Sequence, residues 1–184
     1  KSVVRSGNNA IQEFSLAEFR LPGRHIRENA AASTLAALAA GGSLEGVRSA
    51  LEAFPGLPHR LEWVGSANGV DFYNDSKATN VDAVRRALET FHSPVILLLG
   101  GRDKNTDLFP LAGMVAGRVR HAVVMGEAAA RLKSVLAPVV PVTEAGSMAE
   151  AVETAFADSR PGDAVVLSPA CASFDWYENY ARRG

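Results

Sequence analysis

The chain has 184 residues, of which 47% are hydrophobic and 21% charged, a composition typical of one or two small globular domains. Its formal net charge of −1 provides no basic surface for nucleic acid or for an anionic membrane. No apolar run approaches the roughly 20 residues of a transmembrane helix, no signal peptide is recognisable, and one cysteine, Cys171, excludes an internal disulfide. We therefore expect a cytoplasmic protein.

The first third of the chain predicts a small helical segment. The stretch "AIQEFSLAEFRLPG" indicates one or two short strands, and we expect residues 1–24 to be poorly ordered or abnormally packed. "RENAAASTLAALAA" predicts a helix that ends at Gly41-Gly42, and Ser43 is typical of the N-cap of a second helix, "LEGVRSALEAF". The two prolines and the glycine of "PGLPHR" indicate a domain boundary, giving domains 1–56 and 57–184.

The rest of the chain alternates between predicted strands and helices. "LEWVG" and "GVDFY" flank Asn68-Gly69, which predicts a hairpin. Four short apolar runs predict buried strands: "VILLL" (95–99), "HAVVM" (121–125), "VVPV" (139–142) and "AVVLS" (164–168). Helices are predicted near 80–91, 108–117, 127–136 and 147–157, the last with a capping box at Ser147. The pattern predicts an α/β, doubly wound, mostly parallel Rossmann-like sheet of about six strands with an N-terminal hairpin.

Three of the predicted strands are followed by loops rich in hydrogen-bonding groups. These loops are "NDSKATN" (74–80), "GGRDKNTD" (100–107) and "SPACASFDWYENY" (168–180). Ligands of open α/β sheets bind beyond the carboxyl ends of the strands, so we expect the three loops to meet at one edge. They supply Lys77, Thr79, Lys104, Ser168 and Ser173. This set predicts a site for an anion with more than one negative group.

Each of these features also has a purely structural interpretation. Thr79 or Asn80 is equally well explained as a helix N-cap, and Lys104 as a solvated lysine. Gly100-Gly101 is consistent with a tight turn, because no GxGxxG pattern follows it. Cys171 has no histidine near it in sequence and is better explained as a buried small residue than as a nucleophile. Trp176, Tyr177 and Tyr180 fit helix packing, and His59 fits a stiffened boundary.

Four stretches taken together resemble one enzyme family. "LPHRLE", "NDSKATN", "LLLGGRDKNTD" and "VLSPACASFDWYENYARRG" are similar to the Mur ligases of bacterial peptidoglycan synthesis, and within them to the D-glutamate-adding branch. The resemblance covers about residues 20–184. It implies an ATP-dependent, ADP-forming ligase that works with Mg²⁺ as a monomer and joins D-glutamate to UDP-N-acetylmuramoyl-L-alanine through an acyl phosphate. It places residues 1–56 at the end of the central ATP-binding domain and 57–184 in the C-terminal domain.

The resemblance also implies a role for particular side chains. It assigns the side-chain carboxylate of D-glutamate to Thr79, Lys104 and Ser173, assisted by the backbone of Phe174 and the ring of Tyr180.

The remaining assignments concern the nucleotide. Arg60 and Asp75 are expected to meet ATP, Asn29 to contact the adenine, and Lys77 to act as the catalytic residue near the phosphates. No metal ligand is expected in this chain. The sequence contains no GxxxxGK[ST] motif, so we expect the chain alone to be inactive, with ATP and Mg²⁺ bound mainly by other parts of the protein.

Three alternatives remain open at this point. The first is a ligase of the same superfamily, of Mur or folylpolyglutamate type, that uses another amino acid. The second is a non-catalytic module that binds nucleotides or other anions on a similar fold. The third is a Rossmann oxidoreductase, which the absence of a glycine fingerprint disfavours.

Overall fold

A computed structural model describes residues 2–5, 11–14 and 23–184 of the chain. Residues 1, 6–10 and 15–22 lie outside the described residues. They include most of the segment 1–24, which we expected to be poorly ordered or abnormally packed, and much of "AIQEFSLAEFRLPG". The chain divides into two compact units, Lys1–Gly56 and Leu57–Gly184. Among the helices described, none combines the length and the apolar character needed to cross a bilayer.

The first unit contains a two-stranded ribbon and two helices. Strands β1 (Ser2–Arg5) and β2 (Ile11–Phe14) pair antiparallel, and they are followed by helices α1 (Arg24–Ala39) and α2 (Leu44–Ala53). Ser43 is the N-cap of α2, as predicted, because its hydroxyl accepts a hydrogen bond from Gly46 N at 3.1 Å. Val47 of α2 is buried in a small apolar cluster with Leu38, Leu44 and Leu51.

The second unit is a six-stranded sheet with helices on both faces. Its strands are β3 (Glu62–Ala67), β4 (Val70–Asn74), β5 (Val95–Gly100), β6 (Val119–Met125), β7 (Val142–Ala145) and β8 (Ala164–Ala170). Its helices are α3 (Val81–Leu88), α4 (Pro110–Val115), α5 (Ala129–Leu136), α6 (Met148–Asp158) and α7 (Tyr180–Arg183). The strand order is β3-β4-β8-β5-β6-β7, with β3 antiparallel to β4 and the other pairs parallel. The predicted fold class and the hairpin at Asn68-Gly69 are confirmed.

The central strand β5 is buried on both faces, which explains its unbroken apolar sequence. Because side chains alternate along a strand, Val95, Leu97 and Leu99 enter the core that α3, α4 and α5 cover. Ile96 and Leu98 enter the opposite core, which α6 covers. Burial on both sides fixes the ends of the strands, and therefore the starting points of the loops that follow them.

The prediction for β7 was wrong in position. The expected strand was 139–142, whereas β7 covers Val142–Ala145. Val139 and Val140 instead complete the turn after α5, where both backbone N–H groups donate to Leu136 O, at 2.9 and 3.0 Å. Pro141 has no N–H to give to a sheet, so regular strand pairing starts only after it.

Candidate functional site

The three polar loops meet at one edge of the sheet, as predicted. They follow β4, β8 and β5, which are neighbours and run parallel, so that their carboxyl ends lie side by side. Backbone hydrogen bonds hold the loops together: Asp75 N, in the loop after β4, donates to Leu167 O of β8 at 2.8 Å, and Arg102 N, in the loop after β5, donates to Ala172 O in the loop after β8 at 2.8 Å. The edge is therefore a continuous surface built from all three loops.

Asn74, the last residue of β4, connects its loop to the segment before β3. Its side-chain oxygen accepts a hydrogen bond from Ser76 N at 3.0 Å, and its amide nitrogen lies 2.9 Å from His59 Nδ1. His59 O in turn accepts a hydrogen bond from Lys77 N at 3.1 Å. His59 thus does more than stiffen the boundary, because it holds the loop that carries Lys77.

Asp75 is buried, and both of its carboxylate oxygens accept hydrogen bonds. Leu61 N donates to Oδ1 at 3.1 Å, and the hydroxyl of Ser168 donates to Oδ2 at 3.0 Å. Burial raises the pKa of Asp75 to about 6, against the opposing effects of these two hydrogen bonds and of the positive charge of Arg60. Asp75 therefore braces the site, and its expected contact with ATP stays a prediction.

Sequence reasoning missed one residue that the site is built around, Arg183. Its side chain is 5% exposed, although it follows the exposed Arg182. Nε donates to Ser76 Oγ at 3.0 Å, Nη1 to Gly100 O at 3.3 Å, and Nη2 to Ser76 O and Cys171 O at 2.8 and 3.0 Å. No local signal in "YARRG" distinguishes the two arginines.

Gly100 and Gly101 allow the strand ends to approach one another closely. A Cβ atom on Gly100 would lie 1.9 Å from Met125 O, and one on Gly101 would lie 2.1 Å from Ala172 O. Both glycines have φ of 132°, in the region that L side chains rarely adopt. The pair is therefore a point of close backbone packing rather than only a tight turn.

The loop after β5 is held to α5 but leaves its lysine exposed. Arg131 contacts both carboxylate oxygens of Asp103, at 2.5 and 2.6 Å, and also donates to Thr106 O at 3.0 Å. Within residues 23–184, no hydrogen bond to the Lys104 side chain is formed. A fixed loop that carries an uncommitted cation suits the binding of a carboxylate.

The loop after β8 carries the other predicted contacts. Ser173 is buried, yet its hydroxyl makes no hydrogen bond to a described residue, whereas Phe174 is 60% exposed. The ring of Tyr180 lies edge-on to the ring of His59, with centroids 5.9 Å apart, and Lys77 Nζ is 5.3 Å from the Tyr180 centroid. Lys77 is thereby placed above an aromatic ring at the edge of the site.

The helix after the first loop separates the roles of Thr79 and Asn80. Asn80 is the N-cap of α3, with its side-chain oxygen accepting a hydrogen bond from Ala83 N at 2.9 Å. Thr79 is half-buried, and its hydroxyl has no hydrogen-bond partner in the described part of the chain. The capping interpretation therefore applies to Asn80 and leaves Thr79 available to a ligand.

The remaining predicted residues differ in their setting. Arg60 is exposed beside Asp75, and its charge lowers the pKa of that carboxyl. Asn29 is exposed on α1, in the first unit. Cys171 is buried, and burial raises the pKa of its thiol to about 11, so the thiolate needed for nucleophilic attack is scarce at neutral pH.

The described residues form no cluster of acidic, histidine or cysteine side chains that could hold a metal ion by itself. Asp75, the acidic member of the predicted site residues, already accepts hydrogen bonds on both oxygens. The site instead offers hydroxyl and ammonium donors, which suit an anionic organic ligand.

Comparison with known proteins shows which family the chain resembles. Residues 59–171 match the family model described as Mur ligase, glutamate ligase domain. The UDP-N-acetylmuramoylalanine–D-glutamate ligase of Desulfosudis oleivorans is 53% identical over 161 residues, covering 88% of this chain and 35% of that protein. The ligase of the same name from Acidobacterium capsulatum is 47% identical over 184 residues, covering 99% and 40%.

A solved structure shows the same fold. The UDP-N-acetylmuramate-alanine ligase of Thermotoga maritima has a TM-score of 0.64 at 18% identity, over 89% of this chain and 37% of that protein. The chain thus spans less than half the length of each of these three relatives. Because the family model matches more than half of its residues, the chain belongs to the Mur ligase family.

Proposed function

We propose that this chain is the C-terminal part of an ATP-dependent, ADP-forming ligase that adds D-glutamate to UDP-N-acetylmuramoyl-L-alanine. One observation carries the proposal: Thr79, Lys104 and Ser173 lie on three adjoining loops, and their side chains have no hydrogen-bond partner within residues 23–184. The polar residues around them, such as Asp75 and Arg183, are already hydrogen-bonded. The names of the relatives from Desulfosudis oleivorans and Acidobacterium capsulatum support D-glutamate as the amino acid.

The uncommitted donors suit the side-chain carboxylate of D-glutamate. Lys104 supplies a charge-assisted hydrogen bond, and Thr79 and Ser173 supply neutral hydroxyl donors. The backbone of Phe174 and the ring of Tyr180 complete the proposed pocket. Holding this carboxylate leaves the amine of D-glutamate to face the reacting carbonyl.

The cations near β4 suit the nucleotide. Lys77 is the proposed catalytic residue at the phosphates, and Arg60 is the proposed ATP contact next to Asp75. Asn29 is proposed to contact the adenine. ATP and Mg²⁺ are bound mainly by parts of the full-length protein outside this chain, with residues 1–56 belonging to the central ATP-binding domain and 57–184 to the C-terminal domain. We propose that the protein is a monomer in the cytoplasm, where nucleotide-linked substrates and ATP are available.

The proposed reaction has two steps. A carboxylate oxygen of the nucleotide-linked L-alanine attacks the γ-phosphorus of ATP, and the bond to the β-phosphate oxygen breaks to release ADP. The amine of D-glutamate then attacks the acyl carbonyl, loses a proton, and inorganic phosphate leaves with the C–O bond electrons. The residues of this chain contribute by orienting the amine and by placing positive charge beside the anionic intermediate.

The full-length protein tests the proposal through Lys104. A charge-assisted hydrogen bond contributes about 1.5–3 kcal/mol, so Lys104→Ala should lower kcat/KM for D-glutamate by about 10- to 150-fold. The KM for ATP should change little, whereas Arg60→Ala should raise it. Lys133→Ala, at an exposed lysine of α5, is the matched control and should leave both unchanged. An unchanged kcat/KM for D-glutamate in Lys104→Ala would show that the loop after β5 is not part of the amino-acid site.

A substrate panel separates the alternatives. Turnover of D-glutamate in preference to L-glutamate, L-lysine and meso-diaminopimelate supports the proposal. Preference for another of these amino acids would show that the protein is a different ligase of the same superfamily. Absence of ADP formation with every amino acid would favour a non-catalytic binding module.

A further inference from the structure

The buried guanidinium of Arg183 connects the three loops of the candidate site. Its acceptors are Ser76 in the loop after β4, Gly100 at the end of β5 and Cys171 in the loop after β8. Lys77 and Thr79 follow Ser76 closely in sequence, Lys104 follows Gly100, and Ser173 follows Cys171. The Arg183 side chain therefore contacts each of the three loops shortly before the residues that are proposed to bind the amino acid.

The surroundings of the guanidinium are shaped to receive it. The Ser76 hydroxyl accepts from Nε at 3.0 Å and donates to Tyr180 O at 2.8 Å, which holds it in one orientation. A Cβ atom on Gly101 would lie 2.8 Å from Nη1, so a side chain there would collide with the guanidinium. The absence of a side chain at Gly101 therefore leaves the space that the guanidinium occupies.

All the hydrogen-bond partners of the Arg183 guanidinium are uncharged groups. The four acceptors of Arg183 are three carbonyl oxygens and one hydroxyl, and no ion pair joins it to a carboxylate within residues 23–184. Burial accordingly lowers the pKa of Arg183, with Asp175 acting in the opposite direction. Burying an unpaired cation is unfavourable unless hydrogen bonds offset the cost, and the four hydrogen bonds of Arg183 form only when the three loops hold their acceptors around the guanidinium.

We propose that Arg183 is a positioning residue for the amino-acid site: it sets the spacing of the three loops, and so of Thr79, Lys104 and Ser173, without touching substrate. The proposal rests on the proposed function. It requires the planar fork of arginine, because the acceptors lie in different directions around the guanidinium. A lysine ammonium has three donors on a single nitrogen, so it cannot reproduce contacts that Arg183 makes from three separate nitrogens, Nε, Nη1 and Nη2.

The test compares Arg183→Lys with Arg182→Lys in the full-length protein. Arg182 is its neighbour on α7, is exposed, and serves as the matched control. We expect Arg183→Lys to raise the KM for the amino acid by about tenfold or more, with the KM for ATP changing less than about threefold. Arg182→Lys should change neither. An unchanged KM for the amino acid in a folded Arg183→Lys protein would overturn the proposal.

A double-mutant cycle with Lys104→Ala separates positioning from a general structural role. If Arg183 acts by placing Lys104, Arg183→Lys should have a much smaller effect on kcat/KM for the amino acid when Lys104 is already alanine. An effect of equal size in both backgrounds, or equal losses in every kinetic parameter, would show that Arg183 only supports the fold.

If Arg183→Lys does not fold, the variant Ser76→Ala tests the positioning role of Arg183 instead. It removes one acceptor of Arg183 and should raise the KM for the amino acid by a few-fold, again selectively over ATP. No selective change would overturn the proposal. Wild-type turnover is measured in parallel with the amino-acid panel. If the preferred amino acid is not D-glutamate, the proposed function fails. The role of Arg183 is still decided by the ratio of variant to wild-type KM, measured for that preferred amino acid and for ATP.

Discussion

Ser168, near the end of β8, donates a hydrogen bond of 3.0 Å to the carboxylate of Asp75, in the loop after β4. The bond joins two neighbouring strands at the edge where the polar loops meet. Because both residues are buried, the protonation state of Asp75 affects the stability of this edge.

The first prediction concerns pH. Burial raises the pKa of Asp75 from 3.8 to about 6, so the folded state holds this proton more tightly than the unfolded state does. The stability contributed by the protonated form is complete below about pH 4 and is lost as pH rises through about 6. The loss is at most roughly 3 kcal/mol, at 1.36 kcal/mol per pKa unit. Asp75→Asn should abolish this component of the pH dependence.

The measurement is urea denaturation of wild type and Asp75→Asn between about pH 4 and 7. Glu153→Gln, at an exposed position of α6, is the control and should follow the wild-type pH profile. Parallel profiles for wild type and Asp75→Asn would show that Asp75 does not titrate in this range.

The second prediction separates two adjacent residues. Asn80 caps α3 through a 2.9 Å hydrogen bond from Ala83 N, so Asn80→Ala should lower the free energy of unfolding by about 1 kcal/mol. Asn80→Asp should retain the cap. Thr79→Ala should leave stability within about 0.5 kcal/mol and raise the KM for D-glutamate about two- to tenfold in the full-length protein. Denaturation and steady-state kinetics of the same variants test both parts, and a loss of stability in Thr79→Ala would contradict the assignment.

The third prediction compares two glycines. A Cβ atom at Gly101 would lie 2.1 Å from Ala172 O, on a backbone with φ of 132°. Gly101→Ala should therefore cost about 2–5 kcal/mol through collision and strain. A Cβ atom at Gly113 of α4 would meet no atom within 4 Å beyond its own helix backbone, so Gly113→Ala should stabilise the protein by about 0.5–1 kcal/mol. Thermal unfolding of both variants should show opposite shifts, and shifts of the same sign would contradict the packing at Gly101.

The fourth prediction concerns the support of Lys77. Its Nζ lies 5.3 Å from the centroid of the Tyr180 ring, and an exposed cation–π contact contributes about 0.5–1 kcal/mol. Tyr180→Leu should therefore lower kcat of the full-length protein about two- to fivefold. Tyr180→Phe keeps the ring and is the matched control, with kcat near that of wild type. A similar kcat in the leucine and phenylalanine variants would show that the ring does not support Lys77.

The order of the strands and helices could be predicted because it depends on local pattern. The apolar run of β5, the turn at Asn68-Gly69 and the cap at Ser43 each specify their structure through neighbouring residues. The error at β7 came from Val139 and Val140, whose apolar character fits a strand equally well. Their N–H groups bond to Leu136 O instead, because Leu136 is the last residue of α5 and lies only three and four residues before them.

The sequence by itself determined the sheet, the three polar loops and the edge at which they meet, since a parallel sheet aligns the carboxyl ends of its strands. Only the tertiary structure decided which polar residues are committed to the fold. Arg182 and Arg183 are chemically identical neighbours, yet only Arg183 is buried, against Ser76, which is 107 residues away in the sequence. Burial and hydrogen-bond partners depend on contacts between distant segments, which the local pattern around a residue does not contain.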